Sequence, residues 1–171
     1  MNAVLIGYRG CGKSTIGRKL ADRLWCRFVD IDQLIVEKAG KSIREIFAQD
    51  GEERFRDLET EVLREVLPKG DHVLGLGGGT VMREQNRQLI RESGAKVFYL
   101  RCDAEELLRR IQADAKIADS RPNLTDLGGG IEEIRHLLSI REPIYRQIKH
   151  AELDVTHMTP DDAVVYIARM L

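Results

Sequence analysis

The sequence predicts an α/β fold built on a parallel sheet, because short apolar runs of strand length alternate with longer amphipathic stretches, as in βαβ units. A second observation agrees with this prediction: a glycine-rich segment directly follows the first apolar run, as at a strand-to-helix turn. The length of 171 residues is enough for one such domain with a full core. The strand candidates are AVLI (3–6), CRFVD (26–30), HVLGL (72–76), AKVFYL (95–100) and ELDV (152–155).

The stretches between and after these runs have the apolar spacing of amphipathic helices, and several begin with Ser, Asp or Thr, as a helix N-cap would. They span residues 13–24, 33–39, 42–48, 51–67, 83–93, 103–113, 131–149 and 160–170. The segment ADAKIADSRPNLTDLGGG (113–130) lacks a clean period and predicts a long loop. A loop of that length in a compact domain is usually functional or disordered.

The composition narrows the possible partners and the compartment. With 27 basic and 28 acidic residues the formal net charge is -1, so nucleic acid is not expected as a partner. Three cysteines without Cys-x-x-Cys spacing argue against a disulfide framework and a zinc site. The four histidines lack metal-like spacing and are interpreted as surface or edge residues. Because neither a run of about 18 apolar residues nor a leader pattern is present, we expect a cytoplasmic protein without membrane contact.

The segment GYRGCGKST (7–15) matches the phosphate-binding P-loop, Gly-x-x-x-x-Gly-Lys-Ser, with an apolar strand before it and an amphipathic helix after it. Backbone N–H groups of such a loop converge on phosphate oxygens, Lys13 would reach the β- and γ-phosphates, and Ser14 would offer its hydroxyl to Mg²⁺. Cys11 is interpreted as a small residue that fits the loop; a thiol activated by the helix N-terminus is the alternative.

A P-loop alone does not distinguish a kinase from a GTPase switch or a motor. The sequence contains no Asn-Lys-x-Asp motif for guanine, which argues against a GTPase. Where an Asp would close the strand in many P-loop proteins, VLGLGGGT (73–80) ends in glycines. The carboxylate for a metal must therefore come from another strand. Asp30 and Asp32 lie two residues apart at the end of the strand candidate at 26–30, where alternation would place both on one face. An Asp that caps the next helix is the alternative for one of them.

Further candidates lie in three later motifs. In FRDLE (55–59), Arg56 and Glu59 are neighbours on one helix face, which alone is more typical of a surface ion pair. GLGGGT (75–80) offers bare backbone N–H groups at the carboxyl end of a strand, where open α/β sheets bind ligands. REPIYR (141–146) places a second Arg on the last long helix before a Pro that should distort it. Phe47 and Phe55 would either line the pocket for the phosphate acceptor or belong to the apolar core.

Taken in chain order, the motifs of this sequence resemble the motif set of shikimate kinases over nearly the whole chain. They are the P-loop, Asp-x-Asp, Phe-Arg-x-x-Glu, Gly-Gly-Gly, Arg-Pro and Arg-x-Pro-x-Tyr. The resemblance implies transfer of the γ-phosphoryl group of ATP to the 3-hydroxyl of shikimate, with Mg²⁺, in aromatic amino acid biosynthesis. It also implies a three-layer P-loop kinase fold like that of nucleoside monophosphate kinases, with a five-stranded parallel sheet flanked by helices. We expect a monomer with one domain over residues 1–171, a substrate-binding helical region near 32–60 and a mobile lid near 113–130.

The roles of individual residues follow from the same resemblance. The implied catalytic residues are Lys13, Asp32 and Arg121. The implied nucleotide-binding residues are Gly7, Gly10, Cys11, Gly12, Lys13, Ser14, Thr15 and the lid arginine Arg121. The implied shikimate-binding residues are Asp32, Arg56, Gly77, Gly78, Gly79 and Arg141. Ser14 and Asp30 are the implied metal residues, with Asp30 acting through water.

Two features depart from the family pattern. Ten residues, IQADAKIADS, separate Arg110 from Arg121, so the lid is predicted to be longer than is usual in the family. The sequence RPNL replaces Arg-Pro-Leu-Leu and places Asn123 where an apolar lid contact is expected. By position, the loop DVTHMTP (154–160) matches the adenine-contacting loop. Two rival functions are a kinase for another small hydroxy acid, such as gluconate, and a P-loop protein that has lost catalysis; the retained Lys, Ser, Asp and Arg residues argue against the second.

Overall fold

The computed structural model describes residues 2–114, 123 and 125–171. Its strands are β1 (Asn2–Ile6), β2 (Arg27–Asp30), β3 (His72–Gly75), β4 (Lys96–Arg101) and β5 (Ala151–Asp154). Its helices are α1 (Lys13–Arg23), α2 (Ile31–Ala39), α3 (Ile43–Gln49), α4 (Gly51–Val66), α5 (Glu84–Glu92), α6 (Ala104–Ala113), α7 (Ile131–Ile148) and α8 (Pro160–Met170). The predicted elements are therefore present, with ends that differ by one or two residues. Over the described part of the chain, no helix has the length and apolar character needed to cross a membrane.

The five strands form one parallel sheet, as the family resemblance implies, and their order is β2-β3-β1-β4-β5. The first strand lies in the middle, so the chain leaves it towards one side of the sheet and later returns to the other. In open α/β sheets this switch point forms a ligand crevice at the carboxyl ends of the strands. The register places Leu5 beside Gly75 and Asp30 beside the same Gly75. The P-loop, the Asp-x-Asp motif and the glycine segment consequently lie together at the carboxyl ends of three adjacent strands.

Alternating side chains of the central strand enter two separate apolar cores. Leu5 packs into the cluster that contains Leu20 of α1 and Ile167 of α8. Its neighbours Val4 and Ile6 enter the opposite cluster, with residues of α2, α3 and α4. Because strand side chains alternate between faces and both faces are covered by helices, β1 reads as a continuous apolar run. This buried strand fixes the position of the loop that follows it.

Local capping explains where several helices begin. Asp30 is the N-cap of α2 and accepts a hydrogen bond from Asp32 N, 3.0 Å away. Ser42 and Glu45 form a reciprocal capping box at α3. By contrast, Pro143 lies inside α7, which runs from Ile131 to Ile148 without interruption. The proline, which was expected to distort the helix, does not end it.

One histidine differs from its sequence interpretation. His72 is buried, because it begins β3, an interior strand between β2 and β1. Its Nδ1 lies 2.7 Å from the carbonyl oxygen of Gly70, and burial lowers the pKa of the ring below its usual value of 6.5. The other three histidines are exposed, as expected.

Candidate active site

The loop after β1 has the backbone of an anion-binding cradle. Gly7, Gly10 and Gly12 have φ angles of 146°, 85° and 98°, a region that residues with a side chain rarely adopt. A Cβ atom on Gly7 would also lie 2.6 Å from the carbonyl oxygen of Leu100. The loop ends at Lys13, where α1 begins and presents its N-terminal N–H groups. The glycines are thus required by the path of the chain, and this path directs backbone donors to one point.

Two side chains at the start of α1 face the loop and the neighbouring strand. Lys13 Nζ donates hydrogen bonds to the carbonyl oxygens of Gly7 at 2.8 Å and Tyr8 at 2.9 Å, so its ammonium group lies against the loop. Ser14 Oγ donates to Asp30 Oδ2 at 3.1 Å. This contact joins the P-loop to the end of β2. A cation, a hydroxyl and a carboxylate therefore meet where phosphate oxygens would enter.

The two aspartates occupy different elements, which corrects the prediction that they share one strand face. Asp30 is the last residue of β2, whereas Asp32 lies in the first turn of α2, because the strand ends at the cap. The alternative, an aspartate that caps the next helix, is confirmed for Asp30. Burial and the negative charge of Asp32 raise the pKa of Asp30, and its hydrogen bond from Ser14 only partly opposes this rise. A cation at this point would stabilise the ionised Asp30 carboxylate.

Ser14 and Asp30 form a donor set suited to Mg²⁺ shared with a nucleotide. Among the described residues, no group of three or more His, Cys, Asp or Glu side chains could hold a metal by itself. Mg²⁺ usually binds proteins through one or two carboxylates and takes its other ligands from phosphates and waters. One hydroxyl and one carboxylate 3.1 Å apart match that pattern. The residues present fit this ion.

Arg56 and Glu59 form a buried pair on α4, which corrects the expectation of a surface ion pair. Arg56 is 9% exposed and Glu59 is fully buried. Nη1 of the arginine donates to Glu59 Oε2 at 2.7 Å, and Nη2 donates to Glu52 Oε1 at 2.9 Å. A Cβ on Gly79 would lie 2.6 Å from Arg56 Nη1. The guanidinium is therefore held against bare backbone of the GLGGGT segment.

A buried polar network holds this segment in place, and two of its members, Thr60 and Asn86, lie outside the motifs found in the sequence. Thr80 Oγ1 donates to Glu59 Oε1. Asn86 Nδ2 donates to the Thr80 carbonyl oxygen at 2.8 Å, and Thr60 Oγ1 donates to Asn86 Oδ1 at 2.8 Å. Each of these side chains is at least 97% buried. Since buried polar groups are costly unless they are paired, the network fixes Glu59 and through it Arg56.

The second predicted arginine approaches the same segment from α7. Arg141 is 6% exposed, and a Cβ on Gly78 would lie 3.0 Å from its Nη1. Its Cζ lies 5.8 Å from the centroid of the Tyr8 ring. Tyr145, one turn further along α7, donates from Oη to the Gly78 carbonyl oxygen at 2.5 Å. The structure thus brings Arg56 and Arg141 to consecutive glycines of one loop.

Two buried guanidinium groups therefore lie against one stretch of glycine backbone. Guanidinium groups carry planar pairs of donors, which match a carboxylate better than single point charges do. A Cβ atom at Gly79 would displace the Arg56 guanidinium, and one at Gly78 would crowd the Arg141 guanidinium. Phe55 is fully buried and Phe47 packs against the same core, with ring centroids 4.9 Å apart. For Phe55 the core interpretation is confirmed.

A groove of about 360 Å³ lies beside the P-loop. It is lined by Gly10, Gly12 and Thr15 of the loop region, by Arg110 of α6, and by the segment after β5. Arg110 Nη2 donates to the carbonyl oxygens of Val155 and Thr156 at 3.0 and 3.1 Å. The predicted 154–160 loop therefore lies beside the P-loop, as an adenine-contacting loop would. Arg121, predicted as the lid arginine, lies outside the described residues.

Sequence and fold comparisons identify similar proteins. A family model described as shikimate kinase matches residues 9–171. A shikimate kinase of Rhodopirellula baltica is 43% identical over 96% of this chain and 87% of its own length. One from Thermobifida fusca is 39% identical over 99% of this chain and 94% of its own length. Among solved structures, the shikimate kinase from Acinetobacter baumannii in complex with shikimate has a TM-score of 0.91 and 34% identity, over 99% of this chain and 91% of that chain.

Proposed function

This chain belongs to the shikimate kinase family, and from that premise we propose that its site transfers the γ-phosphoryl group of ATP to the 3-hydroxyl of shikimate. One observation carries the proposal. The phosphate-binding loop follows β1, and the glycine segment beside Arg56 and Arg141 follows β3, which is the adjacent strand of the sheet. A phosphate chain and a small carboxylic acid can therefore be bound side by side. Phosphoryl transfer depends mainly on such positioning and on charge stabilisation.

The donor half of the site consists of the P-loop and the first turn of α1. Backbone N–H groups from Gly7 to Thr15 bind the phosphates in this proposal, and Lys13 moves from the loop carbonyls to the β- and γ-phosphate oxygens. Ser14 and Asp30 would hold Mg²⁺, Asp30 through a water molecule. When bound, this ion neutralises charge on the phosphates. The groove beside Arg110 and residues 154–160 receives the adenine base.

The acceptor half binds shikimate through its carboxylate and hydroxyls. Arg56 and Arg141 bind the carboxylate, and each charge-assisted hydrogen bond contributes about 1.5–3 kcal/mol. Gly77, Gly78 and Gly79 bring backbone close to the ring of the substrate. Asp32 accepts hydrogen bonds from the hydroxyls and takes the proton from the attacking one. Because a loose transition state makes little demand on a base, orientation of that hydroxyl is part of its role.

Three further assignments rest on the sequence. Arg121 is proposed to stabilise charge on the transferring group as the lid arginine, because it matches the Arg-Pro motif of the family. The longer spacing before it extends the proposed lid. Action as a monomer in the cytoplasm also remains a prediction from the sequence.

An assay of ADP release against several acceptors tests the proposed reaction. The panel contains shikimate, quinate, gluconate and nucleoside monophosphates, each at several concentrations with ATP and Mg²⁺. We expect kcat/KM to be highest for shikimate, because it offers one carboxylate to the two arginines and vicinal hydroxyls to Asp32. A higher kcat/KM for gluconate would support the rival acid kinase. If none of these acceptors led to ADP release, the result would indicate a protein without kinase activity.

Replacing Arg56 or Arg141 with lysine is expected to raise the KM for shikimate at least about tenfold while changing the KM for ATP by less than about twofold. Lysine keeps the charge but loses the planar pair of donors, and one lost charge-assisted hydrogen bond corresponds to roughly a tenfold change. Initial rates with each substrate varied in turn measure both constants. Arg64→Lys is the matched control, because Arg64 lies on the exposed face of the same helix as Arg56. Equal effects on the two KM values would contradict the assignment.

A further inference from the structure

One face of α7 carries a buried stripe that the proposed reaction uses only in part. Glu133, Leu137, Arg141 and Tyr145 follow one another every four residues, and all four are buried. In a helix this spacing places side chains on the same face. Arg141 and Tyr145 contact the pocket through Tyr8 and the Gly78 carbonyl. Glu133, at the start of the stripe, has no role in the proposed reaction.

Glu133 is a fully buried carboxylate, and its contacts show where its charge acts. Its Oε2 accepts hydrogen bonds from Thr125 N at 3.0 Å and from Thr125 Oγ1 at 2.9 Å. Its Oε1 lies 3.7 Å from Arg9 Nη2. Taking a carboxylate out of water costs several kcal/mol unless a cation lies nearby. Arg9, which is a P-loop residue, therefore serves as the counter-ion of a helix residue.

Arg9 and its neighbour Tyr8 connect this ion pair to both halves of the site. The Tyr8 ring lies beside the Arg141 guanidinium, and the Tyr8 carbonyl accepts a hydrogen bond from Lys13 Nζ. Burial raises the pKa of Tyr8, while the positive charges of Arg9 and Arg141 oppose the rise. Both arginines therefore lie close to the same phenol. The negative charge of Glu133 offsets the repulsion between these two cations.

We infer that Glu133 and Arg9 form a positioning pair, which holds α7 against the P-loop and thereby sets the Arg141 guanidinium for the acceptor carboxylate. This inference rests on the proposed function, because it takes the Arg141 pocket as the shikimate site. The pair does not touch the reacting groups. It acts through Arg141 on binding of the acceptor, and it links that binding to the conformation of the loop that holds the phosphates.

Glu133→Gln is expected to raise the KM for shikimate about five- to tenfold, in the lower range of coupling between sites, with kcat changed by less than about threefold. Glutamine has the same size and can still accept the hydrogen bonds from Thr125, so it removes mainly the charge. A role in stability alone would lower the melting temperature and leave the KM unchanged. Separate measurement of KM, kcat and the melting temperature therefore distinguishes a positioning role from a role in stability alone.

Variants of Arg9 provide the reciprocal test. Arg9→Met should raise the KM for shikimate as Glu133→Gln does. Arg9→Lys should keep the KM close to the wild-type value, because the ion pair at 3.7 Å needs a charge rather than a planar group. The double variant Arg9→Met/Glu133→Gln should be no worse than the more affected single variant, since both act through one contact. It also leaves no unpaired charge in the core, so it remains informative if Arg9→Met does not fold.

The matched control is Glu132→Gln. Glu132 is the preceding residue of the same helix, is largely exposed and pairs with Arg135. Its KM for shikimate should stay within about twofold of the wild-type value, as expected for an exposed pair. Wild-type turnover of shikimate tests the proposed function without any variant. Activity of the wild-type protein on shikimate would support the proposed function whatever the variants do. The positioning role is wrong if the KM for shikimate does not change in the variants, or if the effects of the Arg9 and Glu133 changes simply multiply in the double variant.

Discussion

Lys13→Ala is expected to lower kcat by at least about 10²-fold while the protein remains folded. Removal of one preorganised donor for developing charge typically costs about 10²–10³-fold, and Lys13 is placed for that role at the start of α1. Its contacts in the structure are hydrogen bonds to loop carbonyls, so the apolar core should be unaffected. Steady-state kinetics with ATP and shikimate give kcat, and circular dichroism and thermal unfolding report on the fold.

Lys19→Ala is the matched control for this change. Lys19 lies on the same helix, is exposed and pairs with Asp161 of α8. Its loss should leave kcat within about twofold of the wild-type value, because exposed pairs contribute about 0–1 kcal/mol. Turnover by Lys13→Ala within about tenfold of wild type, a difference of under about 1.4 kcal/mol in the barrier, would show that the P-loop is not the donor site.

The sequence was sufficient to predict the order of strands and helices, because periodicity and capping are local properties. It could not predict which polar side chains are buried, since burial depends on elements that are distant in the chain. Arg56 and Glu59 illustrate this limit: their spacing predicts a pair, but only the fold brings Gly79 and Thr80 against it and makes it a buried one. His72 is a second case, because its burial follows from the position of β3 inside the sheet.

The site was predictable as a set of motifs but not as a set of contacts. Glycine runs are recognisable in the sequence, yet the reason for Gly79 is a guanidinium contributed by another helix. Thr60 and Asn86, which join Thr80 in a buried network, are residues of ordinary type that belong to no motif. The Glu133 and Arg9 pair bridges 124 positions in the chain, from 9 to 133, and no local pattern indicates it. Such long-range contacts require the packed structure.

Asp32→Asn is expected to lower kcat about 10²- to 10⁴-fold if Asp32 takes the proton from the attacking hydroxyl, and less if it only orients that hydroxyl. Asparagine keeps the size of the side chain and can still accept a hydrogen bond from the acceptor, so the KM for ATP should change little. Steady-state kinetics at several Mg²⁺ concentrations provide the measurement. Glu37→Gln is the control, because Glu37 lies on the exposed face of the same helix.

Asp30→Asn separates the two aspartates, because it should act through Mg²⁺. Activity should require a higher Mg²⁺ concentration, since the carboxylate is proposed to hold the ion through water. The free energy of unfolding without Mg²⁺ should not fall, because burial raises the pKa of Asp30 above its ordinary value of 3.8, and its ionised form therefore costs stability at neutral pH. That cost disappears as the pH falls through the raised pKa towards 3.8, so any gain in stability from asparagine should shrink over the same range. If both substitutions changed only the Mg²⁺ requirement, Asp32 would be a metal residue and the proton would leave the hydroxyl by another route.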